Sequence, residues 1–190
     1  RLDEYAAMFG LGQKTGVELS ESTGVVGGRE FTESLGQTWY EGSVTSVAIG
    51  QESTQVTPIQ LTNYISTLVN GGTRYSTHLL KTVKSSDFSQ VVYEYEPQVQ
   101  SEINIAPENL NAVTEGMRDL TTGEGSLANA FRNLPFEVGA KTGSAQVSST
   151  SNSNAVFVCY APYDDPEIAI SLVVEHGGSG SILASLAAEI

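Results

Sequence analysis

Basic residues are scarce in this sequence. Nine Lys plus Arg stand against 22 Asp plus Glu in 190 residues, a formal net charge of −13. No Lys or Arg follows Lys141, and none cluster elsewhere. A nucleic acid or an anionic lipid surface would meet a repelling field, so both are poor partners for this surface. Cysteine is nearly absent: Cys159 stands alone and can form no intrachain disulfide. A reducing compartment and an exocellular protein that avoids cysteine both fit that count. Long apolar stretches are missing too. The longest, 155–161 and 168–174, have seven residues each, the second with Ser171 inside it, whereas a membrane-spanning helix needs about 20. The sequence opens Arg-Leu-Asp-Glu with no initiator Met, signal peptide or transit segment, and is expected to be part of a longer protein. No internal repeat of solenoid length occurs.

What remains suits one globular unit. With 39% hydrophobic and 16% charged residues, the composition is neither disordered nor collagen-like. A domain near this length buries roughly 70% of its unfolded surface. Leu2, Tyr5, Ala6 and Phe9 lie at helical spacing before Gly10. Residues 10–50, rich in Gly, Ser and Thr, read as an extended loop region. Thr57-Pro58-Ile59-Gln60 carries a hydroxyl at the N-cap, Pro at N1 and Gln at N3. It predicts a helix over 57–72, stopped by Asn70-Gly71-Gly72. Residues 78–84 and 90–95 read as a hairpin around Ser85-Ser86-Asp87. Pro107 opens a second helix over 107–122, and a short one follows around Ser126 to Phe131. Three strands are expected within 138–174, namely 138–147, 155–160 and 168–174, before a terminal helix over 179–190. The last two strands are apolar on both faces, which predicts helices on both sides of the sheet. Tyr163-Asp164-Asp165-Pro166 turns tightly between them, which makes that pair antiparallel.

The chemistry concentrates in Ala140-Lys141-Thr142-Gly143-Ser144-Ala145-Gln146. Lys141 on a strand edge sets positive potential where a substrate carboxylate can dock. Thr142 and Ser144, two residues apart, present hydroxyls to one face. Gly143 removes a side chain, so a substrate backbone can lie close. The backbone N–H of Ser144 can serve as an oxyanion donor. Other reactive residue types read as ordinary structure. His78 and His176 lack ligand partners at metal spacing, and Cys159 sits mid-run like a core thiol. Asp164-Asp165 belong to a turn, Glu94 and Glu96 to a solvated strand face, and Trp39 to a local anchor in its loop.

Four stretches together resemble the C-terminal part of the transpeptidase domain of class B penicillin-binding proteins. Phe9 to Val17 is similar to that family's "FGLGxxTGI" loop. Ile49-Gly50-Gln51, Val56 to Leu61 and Asn70-Gly71-Gly72 are similar to its "IGQG…vTPlQlA…NGG" segment. Lys141 to Gln146 resembles "KTGTAQ", and 156–170 resembles "aWFvGfaP…iAv". Ala140, Ser144 and Glu52 depart from the usual Gly, Thr and Gly.

The resemblance implies an α/β (α+β) three-layer sandwich, with an antiparallel sheet between helices, incomplete because N-terminal strands and a nucleophile-bearing helix lie upstream. Residues 1–190 would be the C-terminal portion of one transpeptidase domain. It implies peptidoglycan D,D-transpeptidation by serine acyl transfer, β-lactam binding, and no metal or organic cofactor. Lys141, Thr142, Gly143 and Ser144 would hold the terminal carboxylate of a D-Ala-D-Ala stem peptide. No Ser-x-x-Lys and no Ser-x-Asn occurs in the 190 residues, so the nucleophile, its Lys and the middle motif are expected upstream. By the same resemblance, the parent would sit at the exocellular face of the bacterial membrane, anchored by an N-terminal segment, alongside other cell-wall synthesis proteins. A D,D-carboxypeptidase, β-lactamase or β-lactam sensor of the same superfamily stays open. So does a non-catalytic module that keeps the fold.

Overall fold

The computed structural model describes residues 2–190. Helix α1 (Leu2–Met8) ends where Gly10 turns left-handed at φ 83°. The Leu11 and Gly10 N–H groups donate to Ala6 O and Ala7 O, both at 2.9 Å. These are the paired bonds that close a helix C-terminus through a glycine. Arg1, at the head of this expected helix, lies outside the described residues.

The segment 10–50, expected as an extended loop, contains two six-residue helices, α2 (Arg29–Ser34) and α3 (Ser43–Ala48). Neither buries a residue. No apolar stripe therefore marked them in the sequence.

Helix α4 (Pro58–Val69) begins at the capping box, with Thr57 accepting from the Gln60 N–H. Gln60 has a second task. Its side chain is 1% exposed; Oε1 accepts from the Thr57 N–H at 2.9 Å. Nε2 donates to Gln13 O at 2.6 Å and Thr23 O at 2.8 Å. One buried amide thus fastens the irregular 13–23 segment to the helix. Gln60→Met keeps the volume and strips all three partners, leaving buried backbone groups unpaired. It is expected to lower stability by about 2–3 kcal/mol, read as a shifted denaturant midpoint with an unchanged slope.

Two small antiparallel pairs follow. Strand β1 (Thr73–Tyr75) pairs with β4 (Val99–Glu102), and β2 (Thr82–Lys84) pairs with β3 (Val91–Glu94). The second pair is the expected hairpin, shorter than its sequence pattern. Its turn is held by the Asp87 carboxylate, which accepts from the Ser85 hydroxyl at 2.6 Å and the Ser89 N–H at 3.1 Å. The β1–β4 pair was not anticipated, because Thr-Arg-Tyr and Val-Gln-Ser-Glu are too short and polar to alternate visibly.

Helices α5 (Pro107–Asp119) and α6 (Ala128–Phe131) lead into the main sheet. Its strands β5 (Gly139–Ala145), β6 (Asn154–Ala161) and β7 (Ile168–Val174) run antiparallel in the order β5-β6-β7. A 3-10 turn (Gly180–Leu183) and helix α7 (Ala184–Glu189) occupy the expected terminal helix. Strand β6 organises the core through its period of two. Ala155, Phe157, Cys159 and Ala161 point to one side, packing with Phe131, Leu183 and Ala187 from α6, the 3-10 turn and α7. Val158 and Tyr160 point to the other, against Ile65, Leu68 and Met117 from α4 and α5. The result is an antiparallel sheet with helices on both faces, three layers in all. β7 is less enclosed than its apolar sequence suggested: Ile168, Val173 and Val174 are exposed. Among the described residues no strand pairs with its outer edge.

Candidate functional site

Strand β5 is the opposite edge of the sheet, bonded among the described residues to β6 alone. Its register sets Lys141 opposite Val158, Thr142 opposite Phe157, Gly143 opposite Val156 and Ser144 opposite Ala155. Ala140, Thr142 and Ser144 therefore share the face of Phe157 and Ala155, whereas Lys141 and Gly143 share the face of Val158. The fully buried Ala140 anchors one end in the core. From Lys141 onward the strand opens: Lys141 and Ser144 are exposed, and Thr142 and Gly143 are half-buried. All four residues singled out in the sequence thus lie on one accessible strand edge.

The ammonium of Lys141 donates to Thr142 O at 2.7 Å. Among the described residues it forms no ion pair. In a chain of net charge −13, an exposed cation with no carboxylate beside it leaves its charge available to a ligand. The Ser144 hydroxyl accepts from the Gly180 N–H at 3.3 Å, which ties the site strand to the 3-10 turn. A Cβ on Gly180 would overlap the carbonyl oxygens of Val156 and Gly143, so only glycine lets the turn approach this closely. Sequence reasoning passed over Gly180. Its position in the Gly177-Gly178-Ser179-Gly180 run before the last helix was the available signal. At the buried end, a Cβ on Gly139 would collide with the Tyr160 ring, and the aromatic fills the space that the glycine leaves.

On its Gly143 face, β5 borders a cavity of about 620 Å³. The stretch 143–147 lines it from the strand side, and Gly50, Gln51 and Glu52 face that stretch from the loop after α3; Lys141 and Thr142 do not line it. An edge strand with a polar cavity beside it can hold an extended peptide by its backbone.

Other candidate nucleophiles are silent. Burial pushes the Cys159 thiol up to about 12, and it is 3% exposed. Burial first, then the neighbouring Tyr163, pushes the Tyr160 hydroxyl up to about 12. His78 stacks on Tyr95 with ring centroids 3.5 Å apart, and the His176 ring lies 3.3 Å from Asn152 O through Nδ1. Among the described residues, no three His, Cys, Asp or Glu side chains converge as a metal site, and no helix is long and apolar enough to cross a membrane.

Similarity to known proteins follows the same lines. Penicillin-binding protein 2A of Bacillus subtilis is 34% identical over 183 residues, covering 90% of this chain and 24% of that protein. The peptidoglycan D,D-transpeptidase MrdA of Escherichia coli is 30% identical over 209 residues, covering 100% of this chain and 32% of the relative. In structure, the penicillin-binding protein PBP2 of Helicobacter pylori, solved in complex with MreC, superposes with a TM-score of 0.79 at 28% identity, covering 98% of this chain and 33% of that one. The chain spans about a quarter to a third of these relatives' length. The family model for the penicillin binding protein transpeptidase domain matches residues 1–190, and it is to this family that the chain belongs.

Proposed function

We propose that these residues form the carboxylate-binding wall of a peptidoglycan D,D-transpeptidase. The observation that carries the reading is the edge strand β5, where Lys141 is exposed and forms no ion pair among the described residues, and two hydroxyls share one face. In this reading Lys141, Thr142 and Ser144 hold the terminal carboxylate of a D-Ala-D-Ala peptide, or of a β-lactam that mimics it. Gly143 admits the peptide backbone. The nucleophilic Ser, its activating Lys and the middle motif come from residues outside these 190, which contain no Ser-x-x-Lys or Ser-x-Asn.

The chemistry is two-step acyl transfer. The Ser oxygen attacks the penultimate D-Ala carbonyl, its proton passes to the departing amine, and D-Ala leaves. The amine of a second stem peptide then attacks the ester, forming the new peptide bond and regenerating the Ser hydroxyl. The backbone N–H of Ser144 supplies one oxyanion donor and the nucleophile's own N–H the other. By likeness to the H. pylori protein solved with MreC, a cell-wall protein is the natural partner. The site of action is the exocellular face of the cytoplasmic membrane, to which the whole protein is anchored.

Lys141→Met tests the wall in the whole protein. The second-order rate of acylation by a fluorescent penicillin is expected to fall about 100-fold, the usual loss when one positioned electrostatic contact is removed. The melting temperature should hold, because the Lys141 side chain is exposed and forms no ion pair among the described residues. A rate within threefold of wild type would refute the role given to Lys141.

A further inference from the structure

Glu52 is a non-glycine residue in the left-handed region, at φ 62°. Such a conformation costs a side-chain-bearing residue on the order of 1 kcal/mol and tends to persist where a site requires it. The preceding turn already has its left-handed glycine: Gly50 sits at φ 75°, and Gln51 N–H donates back to Ser46 O at 2.9 Å to close α3. A second left-handed residue two positions later redirects the chain into the wall of the cavity beside β5. Glu52 is exposed and is the one charged side chain among the residues lining that cavity. Its neighbours there, Gln51, Gln55, Gln146 and Asn154, are neutral amides. A single anion in a neutral polar groove selects for a single cation.

We propose that Glu52 is a specificity residue that binds a side-chain ammonium on the acyl-donor peptide. The inference rests on the transpeptidase reading above. Donor and acceptor stem peptides are copies of one repeating unit, so a donor carries the same amine that its neighbour uses in the second step. With the donor's carboxylate at Lys141, Thr142 and Ser144, the rest of the peptide follows β5. The stretch from Gly143 to Val147 that borders the cavity covers about 13 Å at the usual rise per residue. A long amine-bearing side chain is thereby brought alongside Glu52.

The test measures D-Ala release by the whole protein, without acceptor, from two peptides ending in D-Ala-D-Ala. One carries a free side-chain amine and the other the same amine acetylated. Wild type is expected to favour the free amine about fivefold in kcat/KM, through KM, the upper range for a partly exposed ion pair. Glu52→Gln should bring the ratio close to one, and Glu52→Asp should restore part of it. Glu52→Gly removes the backbone strain as well as the charge. It should melt higher than wild type and still lose the preference, which separates charge from loop geometry. Equal ratios in wild type and Glu52→Gln would overturn the proposal, as would a Glu52→Gln effect seen only when an acceptor amine is varied. Failure of the wild-type protein to take up a fluorescent penicillin would instead sink the transpeptidase reading beneath it.

Discussion

A polypeptide of these 190 residues, produced alone, is expected to form no covalent adduct with a fluorescent penicillin under conditions that label the whole protein. Acylation needs a nucleophile with its base in hydrogen-bond reach. No Ser in the sequence has a Lys three residues on. The buried Cys159 cannot substitute, with its thiol pushed up to about 12. Loss of the nucleophile from a serine acyl enzyme removes on the order of 10⁶ in rate. One oxyanion donor is lost with it, because that N–H belongs to the nucleophile. What remains is a carboxylate-binding edge with an affinity no tighter than about 0.1 M, the order expected of a single exposed ion pair. A stoichiometric label that survives boiling in detergent would show that the acylating residue lies within these 190.

Gly180→Ala is expected to be strongly destabilising and to damage the candidate site with the fold. The added Cβ would overlap the carbonyl oxygens of Val156 and Gly143, and both belong to paired strands that cannot move separately. The 3-10 turn must lift away from β5, which breaks the Gly180 N–H to Ser144 bond and uncovers Leu183, now 5% exposed. Overpacking of this kind costs about 3 kcal/mol, the upper part of the usual range. Denaturant titration should report that loss. Penicillin acylation of the whole protein should fall with it, since Ser144 is displaced. Gly116→Ala is the matching control. Gly116 lies within α5, with nothing near the added atom, and alanine there should stabilise by about 0.5–1 kcal/mol. A Gly180→Ala protein as stable as wild type would mean that the turn does not pack against β5.

Local chemistry made some elements legible and left others invisible. Helix α4 could be read because its cap is written in adjacent residues: Thr57 as N-cap, Pro58 at N1, Gln60 at N3. Strand β6 could be read because both of its faces are apolar, which only a middle strand between two helical layers tolerates. The site strand was legible through Lys141-Thr142-Gly143-Ser144, whose residue types state their chemistry. Contacts spanning long stretches of chain were not. Nothing around Arg74 shows that it is 6% exposed, donating to Gln13 Oε1 at 3.2 Å and Ser101 Oγ at 3.1 Å. Gln60 as a tie to Gln13 and Thr23 was likewise hidden, because its capping role already explained it. Helices α2 and α3 bury nothing, so the periodicity by which helices are recognised never formed. Gly180 was overlooked because its necessity depends on backbone 24 and 37 residues away in sequence.

The two-sided burial of β6 has an electrical consequence for the edge beside it. Val156, Phe157, Val158 and Cys159 form an uncharged slab directly behind Lys141 and Ser144, with packed helices beyond. Such a slab polarises poorly, so the field of the Lys141 ammonium is not relaxed on that side and is directed outward from the sheet edge. A carboxylate arriving there feels the charge across a boundary between media rather than in free water. The strand that supplies most of the hydrophobic packing thereby also strengthens the attraction exerted by the single lysine in front of it.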